Sequence, residues 1–295
     1  IGSLIKPAVY LTALQSSEYH LGSILPDKPV TMKNNKGQQW QPENYDKTQS
    51  GEVLLFDALT RSLNLPTVHL GLDLGLNQVI QTMRRMGVDK KIDRYPSILL
   101  GAVPMSPLEV AKFYQPLANY GQRQEVSAIV SVSDTSGIQL WQKSKDTSQV
   151  SDYQTSFELG YALNQVTRTG TAKRLGKYYP KVQYAGKTGT TDDLRDSWFA
   201  GYDQNKITSV WIGKDDNSPV KLTGSQGALS VFIQLQQARQ AESVTKPQPN
   251  DVEQRYVDIK TGEVLSGDCG EYRQLPITVG KVAKVKECPS IFDWF

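Results

Sequence analysis

Ala185-Gly186-Lys187-Thr188-Gly189-Thr190-Thr191 is short, polar and punctuated by glycine. It follows an apolar–polar alternation from Tyr179 to Tyr184, which predicts a strand running into it. On a strand Lys187 and Gly189 share one face, and Thr188 and Thr190 share the other. Glycines on both sides leave the backbone bare enough for a ligand to lie alongside. Such an edge offers backbone N–H groups, a fixed cation and two hydroxyls to a molecule carrying a carboxylate. Lys-Thr-Gly alone recurs by chance in many proteins, so its meaning depends on the rest of the chain.

The chain has 295 residues, enough to bury a large core as one big domain or two smaller ones. Its 33 basic and 30 acidic residues leave a net charge of +3. With no basic block and no basic–aromatic interleaving, nucleic acid is not the expected partner. No apolar run approaches the ~20 residues that span a bilayer. The sequence opens at Ile1 without Met or a signal pattern, in the middle of a motif, which predicts a fragment with any membrane anchor upstream. The two cysteines, Cys269 and Cys288, fit no zinc spacing, so no metal is expected. They form either a disulfide worth ~3 kcal/mol for a loop of about 20 residues, or two free thiols. A histidine-based site would need His20 or His69, and neither has a suggestive context.

From the start, Ser3 to Leu14 predicts a helix with Ser3 near its N-terminus and Pro7 in the first turn. Ser3 and Lys6 are three apart, which sets a lysine amine beside a serine hydroxyl at the positive end of the helix. Leu21 to Ser50 reads as loops with short strands, and Gly51 to Met86 as three helices broken near Leu65-Pro66. Ser62 and Asn64 fall at a helix junction. Ser106-Pro107-Leu108-Glu109 opens a helix that runs to Tyr120-Gly121. Asp134-Thr135-Ser136-Gly137 predicts a hairpin turn, and Thr155 to Val166 an amphipathic helix. Strands at Asp196–Tyr202 and Ile207–Gly213 would form an antiparallel sheet with the Lys-Thr-Gly strand. A last helix spans Gly224 to Ala241. Lys246 to Asn250 reads as a linker dividing residues 1–245 from a small β unit at 246–295.

Three motifs now stand in order: Ser3-x-x-Lys6, Ser62-x-Asn64 and Lys187-Thr188-Gly189. Each is weak alone, and the ordered set is specific to penicillin-binding proteins and class A β-lactamases. The chain resembles the transpeptidase domain of class A penicillin-binding proteins of the 1b type over nearly its whole length. Gly2 to Leu14, Asp57 to Val68, Leu99-Leu100-Gly101-Ala102, the Ser106 to Gly121 helix, Ala185 to Thr191 and Trp198 to Gly201 carry the likeness. The resemblance implies an α+β serine β-lactamase-like fold, with an antiparallel sheet flanked by helices, an all-helical lobe and the active site between them. It also implies a Cys269–Cys288 disulfide in the C-terminal extension. That fold normally begins with strands upstream of the nucleophile. Their absence here predicts a sheet that is incomplete or completed by another segment.

The chemistry implied is acyl transfer through an acyl-serine, with no cofactor. Ser3 is the nucleophile and Lys6 its base, the latter usable once burial and the nearby Lys187 lower its pKa. Ser62 passes a proton to the departing amine, and Asn64 holds the substrate's peptide amide. Backbone N–H groups of Ser3 and Thr190 form the oxyanion site. Thr188, Gly189 and Thr190 bind the substrate, the two hydroxyls holding its carboxylate. The resemblance implies peptidoglycan stem peptides as substrates and β-lactams as inhibitors. The parent would carry a glycosyltransferase domain upstream and lie at the periplasmic face of a Gram-negative inner membrane, with activator lipoproteins and division proteins as partners. Two other readings compete. One is a D,D-carboxypeptidase or β-lactamase; the Glu-x-x-x-Asn of class A β-lactamases is absent between Asn64 and Lys187, where Glu109, Glu125 and Glu158 all lack it. The other is a non-enzymatic penicillin-sensing module, which would keep all three motifs.

Overall fold

Gly2–Ile5 form a 3-10 turn that runs directly into α1 (Lys6–Gln15). The structure, a computed structural model, describes residues 1–33, 39–144 and 146–289. Every residue of α1 from Lys6 to Leu14 is buried, so it has no polar face and forms the axis of the helical lobe. The expected helix start near Ser3 is corrected here. Gly2 takes a left-handed φ of +54°, and regular helix begins only at Lys6. Pro7 lies in the first turn, where a missing N–H breaks no bond.

β1 (Ile24–Asp27) is followed by a short ribbon, β2 (Met32–Lys33) with β3 (Gln39–Trp40), and then by β4 (Gly51–Leu54), which pairs antiparallel with β1. Val53 and Leu54 therefore belong to a strand and not to the expected first helix, because Leu25 and Ile24 of β1 supply their ladder partners. Helix α2 (Leu55–Thr60) starts one residue later, then α3 (Asn64–Leu74) and α4 (Leu76–Arg85) close around α1. Helix α5 (Pro107–Ala118) begins with the expected reciprocal cap. Ser106 Oγ accepts from Glu109 N–H, and Glu109 Oε2 accepts from Ser106 N–H. It ends at Ala118, short of the expected Gly121, because Tyr120 and Gly121 take left-handed φ values of +54° and +84°.

Two exposed ribbons follow, β5 (Gln122–Gln124) with β8 (Thr147–Gln149), and β6 (Ser131–Ser133) with β7 (Gln139–Gln142). Asp134 Oδ1 accepts the N–H groups of Ser136 and Ile138, which fixes the hairpin turn. Helix α6 (Tyr153–Arg168), capped by Asp152, and a short α7 (Lys173–Tyr178) lead to the central sheet. That sheet is β9 (Ala185–Thr190), β10 (Ser197–Tyr202) and β11 (Ile207–Ile212), antiparallel in the order β11-β10-β9. Helix α6 packs on β9, and α5 and α8 (Ala228–Gln237) on β10 and β11. The strand expected over Tyr179 to Tyr184 is not formed. Its backbone is satisfied without a ladder: Tyr184 C=O accepts from Asn164 and Thr167, Gln183 N–H donates to Ser243 Oγ, Gln183 C=O accepts from Val244 N–H, and Val182 N–H turns back to Tyr179 C=O.

The expected linker at Lys246–Asn250 is pinned down, with Lys246 Nζ donating to Leu117 C=O at 2.8 Å and Tyr153 Oη to Pro247 C=O at 2.6 Å. Beyond it, β12 (Val252–Asp258), β13 (Val264–Leu265), β14 (Tyr272–Thr278) and β15 (Val285–Lys286) form a second sheet in the order β14-β12-β13-β15. The Cys269–Cys288 disulfide joins its loops. The sheet is tied to the helical lobe by Glu158 on α6. One carboxylate oxygen accepts from Thr278 N–H and Oγ1, and the other faces Lys281 Nζ at 3.1 Å. Among the described residues no helix is long and apolar enough to cross a membrane.

Candidate active site

Three segments distant in sequence meet at the seam between the helical lobe and the central sheet. The 3-10 turn brings Ser3, the α2–α3 junction brings Ser62 and Asn64, and β9 brings Lys187, Thr188 and Thr190. Ser62 takes a left-handed φ of +60°, a strained conformation for a serine that costs about 1–2 kcal/mol. Two lysines hold it there. Lys187 Nζ donates to Ser62 Oγ at 2.6 Å, while Lys6 Nζ donates to Ser62 C=O at 2.7 Å and stands 3.4 Å from Ser62 Oγ. Lys6 Nζ also donates to Leu63 C=O at 3.0 Å and Asn64 Oδ1 at 2.7 Å.

Both lysine side chains are fully buried. Burial first, and the charge of Lys187 second, push the Lys6 pKa well below the ordinary lysine value. Burial lowers Lys187 to about 7. The site therefore holds two amines with lowered pKa values, joined through one hydroxyl.

The Lys6 amine is held by the second motif. All four recorded contacts of Lys6 Nζ go to the second motif and none to Ser3 Oγ. Carbonyl-type oxygens, the strongest neutral acceptors nearby, hold the amine there. Ser3 is half-buried and lines a cleft of about 1110 Å3 together with Ser62, Asn64, Thr188 and Thr190. Thr188 Oγ1 shares a hydrogen bond with Thr171 Oγ1 at 2.7 Å. Thr190 Oγ1 accepts from Gly224 N–H at 3.0 Å, which leaves its own proton to donate into the cleft.

Glycines set how closely the 3-10 turn approaches β9. A Cβ on Gly2 would stand 2.4 Å from Thr190 O, and one on Gly189 2.8 Å from Ile1 O. Gly101, at φ +94°, backs Gly2 so tightly that its Cβ would stand 2.0 Å from Gly2 O. Gly189 thus makes room for the turn and does not itself line the cleft. The result is that the backbone of Ser3 follows directly on the residue packed against Thr190.

Sequence reading missed Asn44, Thr171 and Gly224 as site-supporting residues. Asn44 lay in a stretch with only turn composition, Thr171 lay beyond the expected end of a helix at Val166, and Gly224 read as the start of one. None of Glu109, Glu125 and Glu158 lines the cleft. Glu109 serves its helix cap and Lys90, Glu125 pairs with Lys143 on an exposed ribbon, and Glu158 anchors the second sheet. His20 and His69 also lie outside it.

The penicillin binding protein transpeptidase domain matches residues 1–216. The chain belongs to this family. It is 41% identical to penicillin-binding protein 1B of Vibrio cholerae over 304 aligned residues, covering all of this chain and 39% of that protein. It is 40% identical to penicillin-binding protein 1B of Escherichia coli, covering 90% of this chain and 32% of that one. The chain thus spans about 32–39% of the length of these relatives. In fold it is similar to the crystal structure of penicillin-binding protein 1A from Haemophilus influenzae, with a TM-score of 0.85 at 22% identity, covering 96% of this chain and 48% of the other. It also resembles PonA1 from Mycobacterium tuberculosis in complex with penicillin V, with a TM-score of 0.67 at 20% identity, covering 84% and 72%. The α+β fold of penicillin-binding proteins is therefore the fold of this chain.

Proposed function

We propose that this domain is a peptidoglycan D,D-transpeptidase that cross-links stem peptides and is acylated by β-lactams. The observation that carries the reading is the pair of buried lysines converging on Ser62 at the floor of a cleft that Ser3 lines. In this scheme a neutral Lys6 takes the proton of Ser3 Oγ as the oxygen attacks the carbonyl of a D-Ala-D-Ala bond. The backbone N–H groups of Ser3 and Thr190 stabilise the oxyanion. The proton passes from Lys6 through Ser62 to the leaving amine; the Lys6–Ser62 contact supports that route, and Lys187 orients the Ser62 hydroxyl. Thr188 and Thr190 hold the terminal carboxylate, and Asn64 the peptide amide. D-Alanine leaves, and an amine of a neighbouring stem peptide accepts the acyl group.

Among the described residues no carboxylate between Asn64 and Lys187, the stretch that carries the deacylating glutamate of class A β-lactamases, lines the cleft; those that do, Glu43, Asp192, Asp193 and Asp196, lie outside that stretch. Residues 1–245 form the catalytic unit in this proposal, and 246–295 an extension docked on α6. The whole protein would be bifunctional, with a glycosyltransferase domain, and would act in the periplasm of a Gram-negative bacterium, anchored upstream. Activator lipoproteins and division proteins would be its partners.

Intact mass after incubation with excess penicillin tests the reading, with Ser3→Ala beside it. The expected result is a gain of one drug molecule that persists for minutes to hours and vanishes in the variant. Drug consumed without an adduct would establish the hydrolase instead. An adduct with no transfer of a D-Ala-D-Ala donor to an amine acceptor would establish the sensing module.

A further inference from the structure

Asn64 is the hub of the second motif, and its position is set from outside that motif. Helix α3 has no side-chain cap of its own at Leu63. Its first two N–H groups, from Asn64 and Leu65, instead donate to Asn44 Oδ1 at 2.8 and 3.1 Å. Next door, Glu43 C=O accepts from Asn64 Nδ2 at 2.7 Å. That bond fixes which way the Asn64 amide points, so its oxygen and not its nitrogen faces Lys6 Nζ. A reversed amide would bring N–H donors against the donors of the amine.

Asn44 is itself locked. Its side chain is 2% exposed, and its Nδ2 donates to Asp27 Oδ1 at 2.7 Å and to Thr48 C=O at 2.8 Å. Asp27, 1% exposed at the end of β1, spends its second oxygen on Ser50 N–H at 2.8 Å. Every donor and acceptor of the Asn44 amide is therefore used: two bonds to a buried carboxylate and a loop carbonyl, two to the start of α3. An amide matched on four sides has one orientation.

We propose that the buried Asp27–Asn44 pair is a positioning device for the acylation reaction, holding the start of α3 and, with the Glu43 carbonyl, presenting Asn64 Oδ1 to Lys6. It rests on the reading of Lys6 and Ser3 as the acylating pair. Asn44 acts through Asn64 and touches none of the reacting groups. Nor does it serve only the fold: it lies in the loop whose residues Trp40, Glu43 and Tyr45 wall the same cleft.

The test is acylation by a fluorescent penicillin, followed over time at several concentrations to separate noncovalent affinity from the acylation rate constant. Asn44→Ala is expected to slow the rate constant by on the order of 100-fold, the effect of a misplacement near 1 Å, with affinity little changed. Asn44→Asp alone sets two carboxylates face to face and is expected to be as slow. The exchanged pair Asp27→Asn with Asn44→Asp restores the bond between the two positions and keeps an acceptor for both α3 amides and one for Ser50, although Thr48 C=O loses its donor; it is expected to label faster than Asn44→Asp alone and more slowly than the unaltered protein. A merely structural role would lower the amplitude of labelling and leave the rate constant of the active fraction unmoved. Such an outcome, or an exchanged pair no faster than Asn44→Asp, overturns the proposal. Hydrogen exchange at the Asn64 and Leu65 amides reads the cap without catalysis, and Asn44→Ala, which removes their acceptor, should accelerate it; unchanged protection also overturns the proposal. If the unaltered protein takes no label while those amides respond, the acylation reading fails and the cap stands.

Discussion

Gly2→Ala isolates the spacing on which the proposed oxyanion site depends. The added Cβ would stand 2.4 Å from Thr190 O and 2.9 Å from Thr190 C, whereas ordinary contact begins at 3.4 Å. The atoms it meets are backbone in β9, held by antiparallel pairing of Thr190 with Ser197, so no side chain can rotate aside. Retreat is blocked as well, because Gly101 presses on the carbonyl of Gly2 from the other side. The gap must open by about 1 Å, a displacement that costs on the order of 100-fold in rate when it falls between reacting groups. Loss of one oxyanion donor has the same scale, about 2.7–4 kcal/mol. The left-handed φ of +54° adds about 1–2 kcal/mol of folding penalty for an alanine. Gly280→Ala is the control, since its Cβ would meet nothing within 4 Å. The acylation rate constant with penicillin and the melting temperature are measured for both. Gly2→Ala should label about 100-fold more slowly and melt several degrees lower, while the control matches the unaltered protein. Gly2→Ala labelling within a few-fold of the parent would refute the placement of Ser3 and Thr190 amides as a close pair.

Acylation should rise with pH through the lowered pKa of Lys6, since only the neutral amine accepts a proton. Lys187→Gln removes a like charge, raises that pKa and moves the rising limb to higher pH in a rate profile. Stability carries the matching sign. Lys187 titrates near 7 when folded and near 10.5 when unfolded, so between those values the unfolded chain binds more protons and stability climbs with pH. Melting temperature measured across that window should rise, and Lys187→Met should flatten the rise. Glu158→Ala leaves Lys281 in a nearly buried place without its partner and should cost about 3 kcal/mol, read by thermal denaturation together with faster proteolysis after residue 246. Reducing the Cys269–Cys288 bridge, whose cysteines are 19 apart in sequence, should destabilise the second sheet by ~3 kcal/mol and leave the penicillin labelling rate unchanged.

Much of this arrangement was legible because its signals are local. Ser106 and Glu109 cap a helix within four residues, Asp134 to Gly137 turn a hairpin, and the three motifs each fit one element. Failures arose where tertiary bonds overrode a local pattern. The Tyr179–Tyr184 alternation looks like a strand, yet its backbone is satisfied by the side chains of Asn164, Thr167 and Ser243, by Val244 N–H and by a turn within the segment. Val53-Leu54 belong to a helical apolar run in sequence but meet a strand partner in β1. Helix α7 has six residues, an internal Gly176 and no side-chain cap, so no pattern announced it. At the site, residue types were readable and directions were not. Helical spacing put Lys6 on the face of Ser3, but the oxygens that hold its amine lie some 60 positions away, where no local rule could find them. Asn44 was invisible for the same reason: its partners at 27, 48, 64 and 65 come together only in the folded chain.

Those long separations bear on how the protein is made. The bond from Lys187 to Ser62 closes a loop of 125 residues, and that from Lys6 to Ser62 one of 56. Contacts of this span form late, after local helices and hairpins, because chain-closure entropy must be met before they give anything back. Chains stalled with a formed helical lobe but an undocked β9 would have Ser3 without its proposed oxyanion partner. Covalent labelling by a penicillin therefore counts molecules that have completed folding, and the lag before labelling in a refolding experiment times the docking of β9 onto the helical lobe.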